Sequence, residues 1–391
     1  MTSRERMAIA MHPARGRPDR VPVMCQLALG HYFLNAGLDA VDVWHDTAAF
    51  ASSLIALQRR YRFDGILVNL PGRDPRWRRF VRSIENRRGR RVIHWPGDRL
   101  TIVAPDDNPR VVLAATWKRH EPAPADVDPD RLFYVEPHDI AGPTYPQTWG
   151  FEAQPADPGG AFFPPWHWDT LKAVRAAAPD ASVHAEVFSP FSQWMELVGC
   201  SAGMMSLVQD AGRVHAALDR LTAGAIALAR GHVAGGADAV LISSAFAGGG
   251  LISRKDYRAF VLPYEQRLIA ALKREHPGTP VYTHTCGAIG DRLDLMTETG
   301  TDGIDTLDPP PLGTVDLADA RRQLGHGCFI KGNIDPVNTV LRGTPEDCYR
   351  DARARMAIAG RAGAYILSTA CSVPPHAPPE NVEQLVRAAE S

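Results

Sequence analysis

"PVYTHTC", residues 280–286, decides how the chain is read. It is a short, β-prone apolar run that ends on His284 and Cys286, with a glycine directly behind. Side chains alternate along an extended strand, so this imidazole and thiol share one face. Seven further runs of the same kind are found: VPVMC (21–25), GILVN (65–69), SVHAEVF (182–188), ADAVLIS (237–243), DGIDTL (302–307), CFIKGN (328–333) and AYILSTA (364–370). Helical patterns follow most of them. Apolar residues at three- and four-residue spacing run through 196–236, 254–276 and 344–360, the last opening on Thr344-Pro345-Glu346. Strands alternating with helices pair in parallel, and eight such units predict an α/β fold closed into a (β/α)8 TIM barrel. An open doubly wound sheet is the alternative, though no G-x-G-x-x-G follows the first run.

Residues 1–391 read as a single barrel domain, since one fold uses the whole alternation. One stretch, 72–165, does not fit a plain βα unit and reads as an insertion after the second strand, covering one end of the barrel. It opens with an arginine-rich segment of helical character, RDPRWRRFVRSIENRRGRR, that holds nine arginines between residues 73 and 91. A hairpin follows in RVIHWPGDRLTIVAP, with Pro-Gly-Asp at its turn. Proline-rich connectors complete the segment.

Composition narrows the function classes. Apolar residues make up 45% and charged residues 22%, the balance of a soluble globular protein. The formal net charge of -1 gives no overall field for nucleic acid or an anionic membrane. The N-terminus is charged, without the apolar core of a signal peptide, and no run of about 18 apolar residues suggests a membrane span. A cytoplasmic location is expected. Six cysteines, at 25, 200, 286, 328, 348 and 371, lack the paired spacing of a disulfide framework, so free thiols or metal ligands are the better reading.

In a barrel, chemistry belongs at the C-terminal ends of the strands. His284 and Cys286 end the fifth run, and Cys371 follows the eighth, 85 residues beyond Cys286. Three βα steps separate them, which returns the chain to the same rim. Two thiolates and an imidazole suit zinc, and three protein ligands leave a coordination position open, as catalytic sites do. The plain alternative is that each cysteine is a small buried apolar residue.

Several blocks carry a resemblance over nearly the whole chain. TSRERMAIAMHPARGRPDRVPV, FSPFSQWMELVG, LISRKDYRAFVLPYEQRL, HTCG, KGNIDPVNTVLRGTPED and STACSVPPHAPPENVEQLV together resemble the uroporphyrinogen decarboxylase superfamily, specifically its zinc-dependent methyltransferase branch. That resemblance implies zinc bound by His284, Cys286 and Cys371. It also implies methyl transfer between a small methylated compound or thiol and a corrinoid (cobalamin) group. No D-x-H-x-x-G cobalamin motif is present, so the corrinoid is expected on a partner protein or free. The decarboxylases carry an arginine-rich clamp after the first strand, where this chain reads MCQLALGHYF (24–33). Decarboxylation of uroporphyrinogen is therefore not expected. Lyase or decarboxylase action on a non-porphyrin substrate, and a non-catalytic zinc-binding scaffold, are the competing classes.

Other rim positions are candidates. Glu186 reads as a fourth ligand, a proton donor or an ion-pair partner, and Asp305 as a second catalytic acid. Asn333 and Asp335 follow the seventh run as substrate contacts or turn-makers. Lys331 faces either an anionic substrate group or a neighbouring acid. Tyr257, His31 and His376 are pocket candidates. The arginine run is either a solvated face or a docking patch for an acidic corrinoid protein, with nucleic acid disfavoured by the near-zero charge.

Overall fold

The computed structural model describes residues 1–151, 162–361 and 363–391. Its strands are β1 (Gly65–Val68), β2 (Ser83–Arg87), β3 (Arg90–His94), β4 (Arg99–Val103), β5 (Arg110–Leu113), β6 (Ser182–Phe188), β7 (Ala239–Ser243), β8 (Val281–Thr285), β9 (Gly303–Thr306), β10 (Phe329–Ile334) and β11 (Tyr365–Thr369). Seven form one parallel sheet in the order β1-β6-β7-β8-β9-β10-β11, which curls into a TIM-barrel-like α/β fold. Both faces are buried, as parallel sheets require. Val187, Val240, Ile242 and Val281 point outward against the long helices Ala211–Ala234 and Leu262–Glu275. Leu67, Leu241, Tyr282, Phe329 and Ile366 point inward, where Met7, Ala10 and Met11 of the N-terminal helix Ser3–Met11 pack against them. That helix plugs the N-terminal mouth and leaves the opposite rim for the site.

The first expected strand, VPVMC, is corrected. Residues 22–28 run parallel to β11 and the chain after it, meeting them in isolated bridges, Val23 to Leu367 on β11 and Leu27 to Val373 beyond it. Pro22 has no N–H to give, and the Val23 N–H goes to the Asp64 carboxylate at 2.8 Å instead of to a ladder. On the other side Asp64 donates its N–H to the Val23 carbonyl, one residue ahead of β1. The segment is thus bonded to both edges of the curled sheet without being a regular strand.

The arginine-rich stretch is not helical. A single turn of 3-10 helix at Trp77–Phe80 leads into β2, which pairs antiparallel with β3. The apolar residues Trp77, Phe80, Val81 and Ile84 fall at helical spacing, but Arg88 and Gly89 take left-handed conformations, with φ of 53° and 76°. Two successive positive φ values build the tight turn that matches strand twist, so the chain doubles back. The hairpin expected around Pro96-Gly97-Asp98 is present, joining β3 to β4, and β5 completes a separate four-stranded antiparallel sheet. Residues 152–161 of the 72–165 segment lie outside the described residues.

Helix ends follow local chemistry. The 196–236 pattern is broken at Gly199 and at Asp210, each of which starts a new helix. Thr344 and Asp347 form a reciprocal capping box at the start of helix Pro345–Arg355. Among the described residues, no helix is long and apolar enough to cross a membrane.

Candidate metal centre

Strand register builds the site. His284 on β8 lies directly across from Asp305 on β9, and Asp305 lies directly across from Lys331 on β10. Directly opposed side chains on one face are close enough to bond. Asp305 Oδ2 is 3.1 Å from His284 Nδ1, and Lys331 Nζ donates to both Asp305 oxygens at 3.0 Å. All three are nearly fully buried. Burial alone would raise the Asp305 pKa, but the Lys331 ammonium and the His284 ring outweigh it and hold the carboxyl below its ordinary value. Burial likewise opposes charge on His284. Asp305 and Cys371 overcome that and bring the imidazole up to about 10.

With Nδ1 committed to Asp305, His284 presents Nε2 to the rim. There the Cys286 sulfur lies 3.3 Å away, and the Cys286 and Cys371 sulfurs are 3.8 Å apart. The three ligand atoms all fall within 4.8 Å of one another. Two sulfurs each about 2.3 Å from a tetrahedral zinc ion sit about 3.8 Å apart, so the observed pair matches zinc without rearrangement. Charge tells the same story. The contact with Cys286, aided by His284, lowers the Cys371 thiol, while Cys371 raises Cys286. One thiolate is favoured beside the imidazole.

The backbone behind Cys286 is fixed as well. Gly287 has φ of 77°, a conformation that side chains resist, and its N–H donates to Asp308 Oδ2 at 2.6 Å. Asp308 was not among the sequence candidates. It sits in the loop after β9, three residues past Asp305, and that spacing was its one visible signal.

Glu186 occupies the rim at the end of β6. Burial raises its pKa to about 7, against the lowering influence of His284 and Ser243. Beside it is a cavity of about 20 Å³ lined also by Asn69, Glu136, His167 and His232, room for about one water molecule. Burial takes Glu136 up to about 8. Sequence reading missed Glu136 because it lies on irregular chain between the two sheets, where no periodicity marks it.

The remaining candidates are not brought to this centre as free groups. Asn333 donates to the Leu307 carbonyl and accepts from Arg355. Asp335 caps the turn at Pro336–Leu341, accepting from the Val337 and Asn338 N–H groups. His31 is bonded to the Tyr61 hydroxyl and to the carbonyls of Pro374 and Pro375. Tyr257 is fully buried near Arg292. His376 is exposed and meets Asp106.

Residues 153–391, which hold β6 to β11 and all three of His284, Cys286 and Cys371, match the family model described as Uroporphyrinogen decarboxylase (URO-D). The chain belongs to the uroporphyrinogen decarboxylase family. Within it, the chain is 32% identical over 180 residues to the uroporphyrinogen decarboxylase of Shewanella pealeana, covering 46% of this chain and 48% of that protein. It is 33% identical over 182 residues to the enzyme of Thioalkalivibrio sulfidiphilus, covering 46% and 49%. The chain thus spans about half the length of the curated relatives it matches. Among solved structures, a methyltransferase from Methanosarcina mazei superposes with a TM-score of 0.70 at 19% identity, covering 100% of this chain and 98% of that one. That likeness is one of fold.

Proposed function

We propose that this family member is a zinc-dependent methyltransferase, moving a methyl group between a small methylated substrate or thiol and a corrinoid carried by a partner protein. The observation that carries the reading is the convergence of His284 Nε2, Cys286 Sγ and Cys371 Sγ at zinc-compatible separations. Asp305 supports it by fixing the His284 tautomer, as carboxylates behind metal-bound histidines do. His284, Cys286 and Cys371 would hold the ion. A zinc ion bound there would supply a Lewis acid that polarises a heteroatom or lowers the pKa of a substrate thiol. Glu186, protonated up to about pH 7, can donate a proton at the same rim. Lys331, fully paired with Asp305, serves the ligand set and not a substrate anion.

A second reading keeps the metal but makes the chemistry that of a lyase or decarboxylase. The names of the curated relatives favour it. Against uroporphyrinogen itself stands the stretch 24–33, which has no arginine to meet the substrate carboxylates.

Two measurements test the proposal. The purified protein should hold about one zinc per chain, and Cys286→Ser and Cys371→Ser should each lose most of it while remaining folded, because core burial dominates stability. Methyl transfer should also stop when cobalamin is rigorously excluded and return on adding a corrinoid protein or free cobalamin. Full zinc retention by both variants defeats the metal assignment. Turnover without cobalamin, or production of coproporphyrinogen, defeats the methyltransferase and favours the lyase.

A further inference from the structure

Arginines in this chain are mostly paired with carboxylates, as in Arg62–Glu390, Arg230–Glu275 and Arg254–Asp294. The arginine-rich stretch divides on that criterion. Arg73 is buried and donates to the Trp44 and His138 carbonyls, while Arg76, Arg78 and Arg91 meet Asp74, Asp42 and Asp39. Arg87, Arg88 and Arg90 are exposed and have no carboxylate partner among the described residues. Arg110 on β5 is in the same condition.

Strand pairing gathers these four. Val92 pairs with Ile102 and Ile102 with Arg110, so one sheet face carries an aliphatic floor with arginines at its margin. Together they line an open depression of about 590 Å³, floored by Val92, Ile102 and Val112. Trp117 forms its wall, 42% exposed, with the Arg87 guanidinium 4.5 Å from its ring centre. A nearby carboxylate, Glu85 on β2, is engaged with His94 at 3.3 Å.

Four exposed guanidiniums line one depression and give it a positive field. The volume is that of a single small ligand, since such sites span about 300–1,000 Å³. Guanidinium forks bind phosphate oxygens bidentately, and an exposed indole offers a stacking surface. An acidic peptide supplies at most one charge per residue, each about 3.3 Å further along the chain. A polyphosphate concentrates its charges in a shorter span, which suits this geometry better. We propose that this face of the antiparallel sheet binds a small organic polyphosphate with an aromatic body, its phosphates on Arg87, Arg88, Arg90 and Arg110 and its ring against Trp117. The site is independent of the metal centre.

Calorimetric titration of the full chain with ATP, inorganic tripolyphosphate and a hexaglutamate peptide tests this, without added divalent cations and at two salt concentrations. ATP should bind saturably, and tripolyphosphate about tenfold more weakly for want of stacking. Trp117→Ala should abolish that difference. Arg87→Gln/Arg90→Gln should weaken both phosphates at least about tenfold and flatten the salt dependence. All three residues are exposed, and an unchanged urea midpoint confirms that the variants fold. Three results overturn the proposal: no saturable binding of ATP up to millimolar concentration, equal binding by the wild type and the double arginine variant, or hexaglutamate binding as tightly as ATP. The last would make the face a dock for an acidic protein.

Discussion

Removing the Asp305 carboxylate should have two separable effects, because it faces His284 on one side and Lys331 on the other. Asp305→Asn should weaken zinc about 10–100-fold, the usual range for a lost partner behind a metal-bound histidine. It should also leave a buried ammonium without its counter-charge, a change worth about 3–5 kcal/mol. Adding Lys331→Met should restore most of the stability and none of the zinc affinity, as read from urea unfolding and chelator competition. If both properties recover together, Asp305 acts only as an ion-pair partner. Glu136 offers a test through pH. Burial raises its pKa from 4.5 to about 8, so below pH 4.5 folded and unfolded chains both hold the proton. Between those values only the unfolded chain releases it, and stability falls as pH rises, by on the order of a few kcal/mol. Glu136→Gln keeps an acceptor for the His138 N–H and does not titrate, so its advantage over wild type should grow from pH 4.5 to 8 and then level off. A urea-midpoint difference that stays constant over that range would show that Glu136 ionises freely in the fold. The meeting of His284, Cys286 and Cys371 could be read from sequence because these residues follow or close regular strands. That the acid facing Lys331 is Asp305 could not, since cross-strand register is not written in either strand alone.

Regular elements were legible where two signals agreed. β6 coincides with SVHAEVF to the residue, and the helix start at Thr344 was visible as a threonine followed by proline and an acid. Elements failed where a backbone device outweighed side-chain spacing. The apolar residues from Trp77 to Ile84 fit a helix until the Arg88–Gly89 turn reverses the chain into β3. At 21–25 the apolar character was right, but Pro22 and the diversion of the Val23 N–H to Asp64 reduced a strand to bridges. In both places the deciding fact is a hydrogen bond or a dihedral, neither of which periodicity reports. Asp335 takes the turn-making role offered for it, its carboxylate accepting from two N–H groups at 2.8 Å at the start of Pro336–Leu341.

At the scale of the whole molecule, the weak bridges at 22–28 need support from elsewhere, and Asp64 supplies it. Its carboxylate is fully buried and accepts from Arg6 at 2.6 Å, Arg20 at 2.8 Å, Ser3 at 2.9 Å and the Val23 N–H at 2.8 Å. One side chain therefore ties the N-terminal plug, the irregular segment and the lead into β1. Asp64→Ala would take from Arg6, itself 7% exposed, one of its two carboxylates, leaving it Asp19, and would leave the Val23 N–H without its partner. Leaving buried donors without this acceptor costs about 1–3 kcal/mol, and the loss should appear as a lower urea midpoint. Asp64→Asn should fall in between, because an amide oxygen still accepts from Val23 and Ser3. Zinc content of the folded protein should not change in either variant, since the ligands lie at the opposite end of the strands. A midpoint unchanged in Asp64→Ala would mean that side-chain packing holds the seam closed without it.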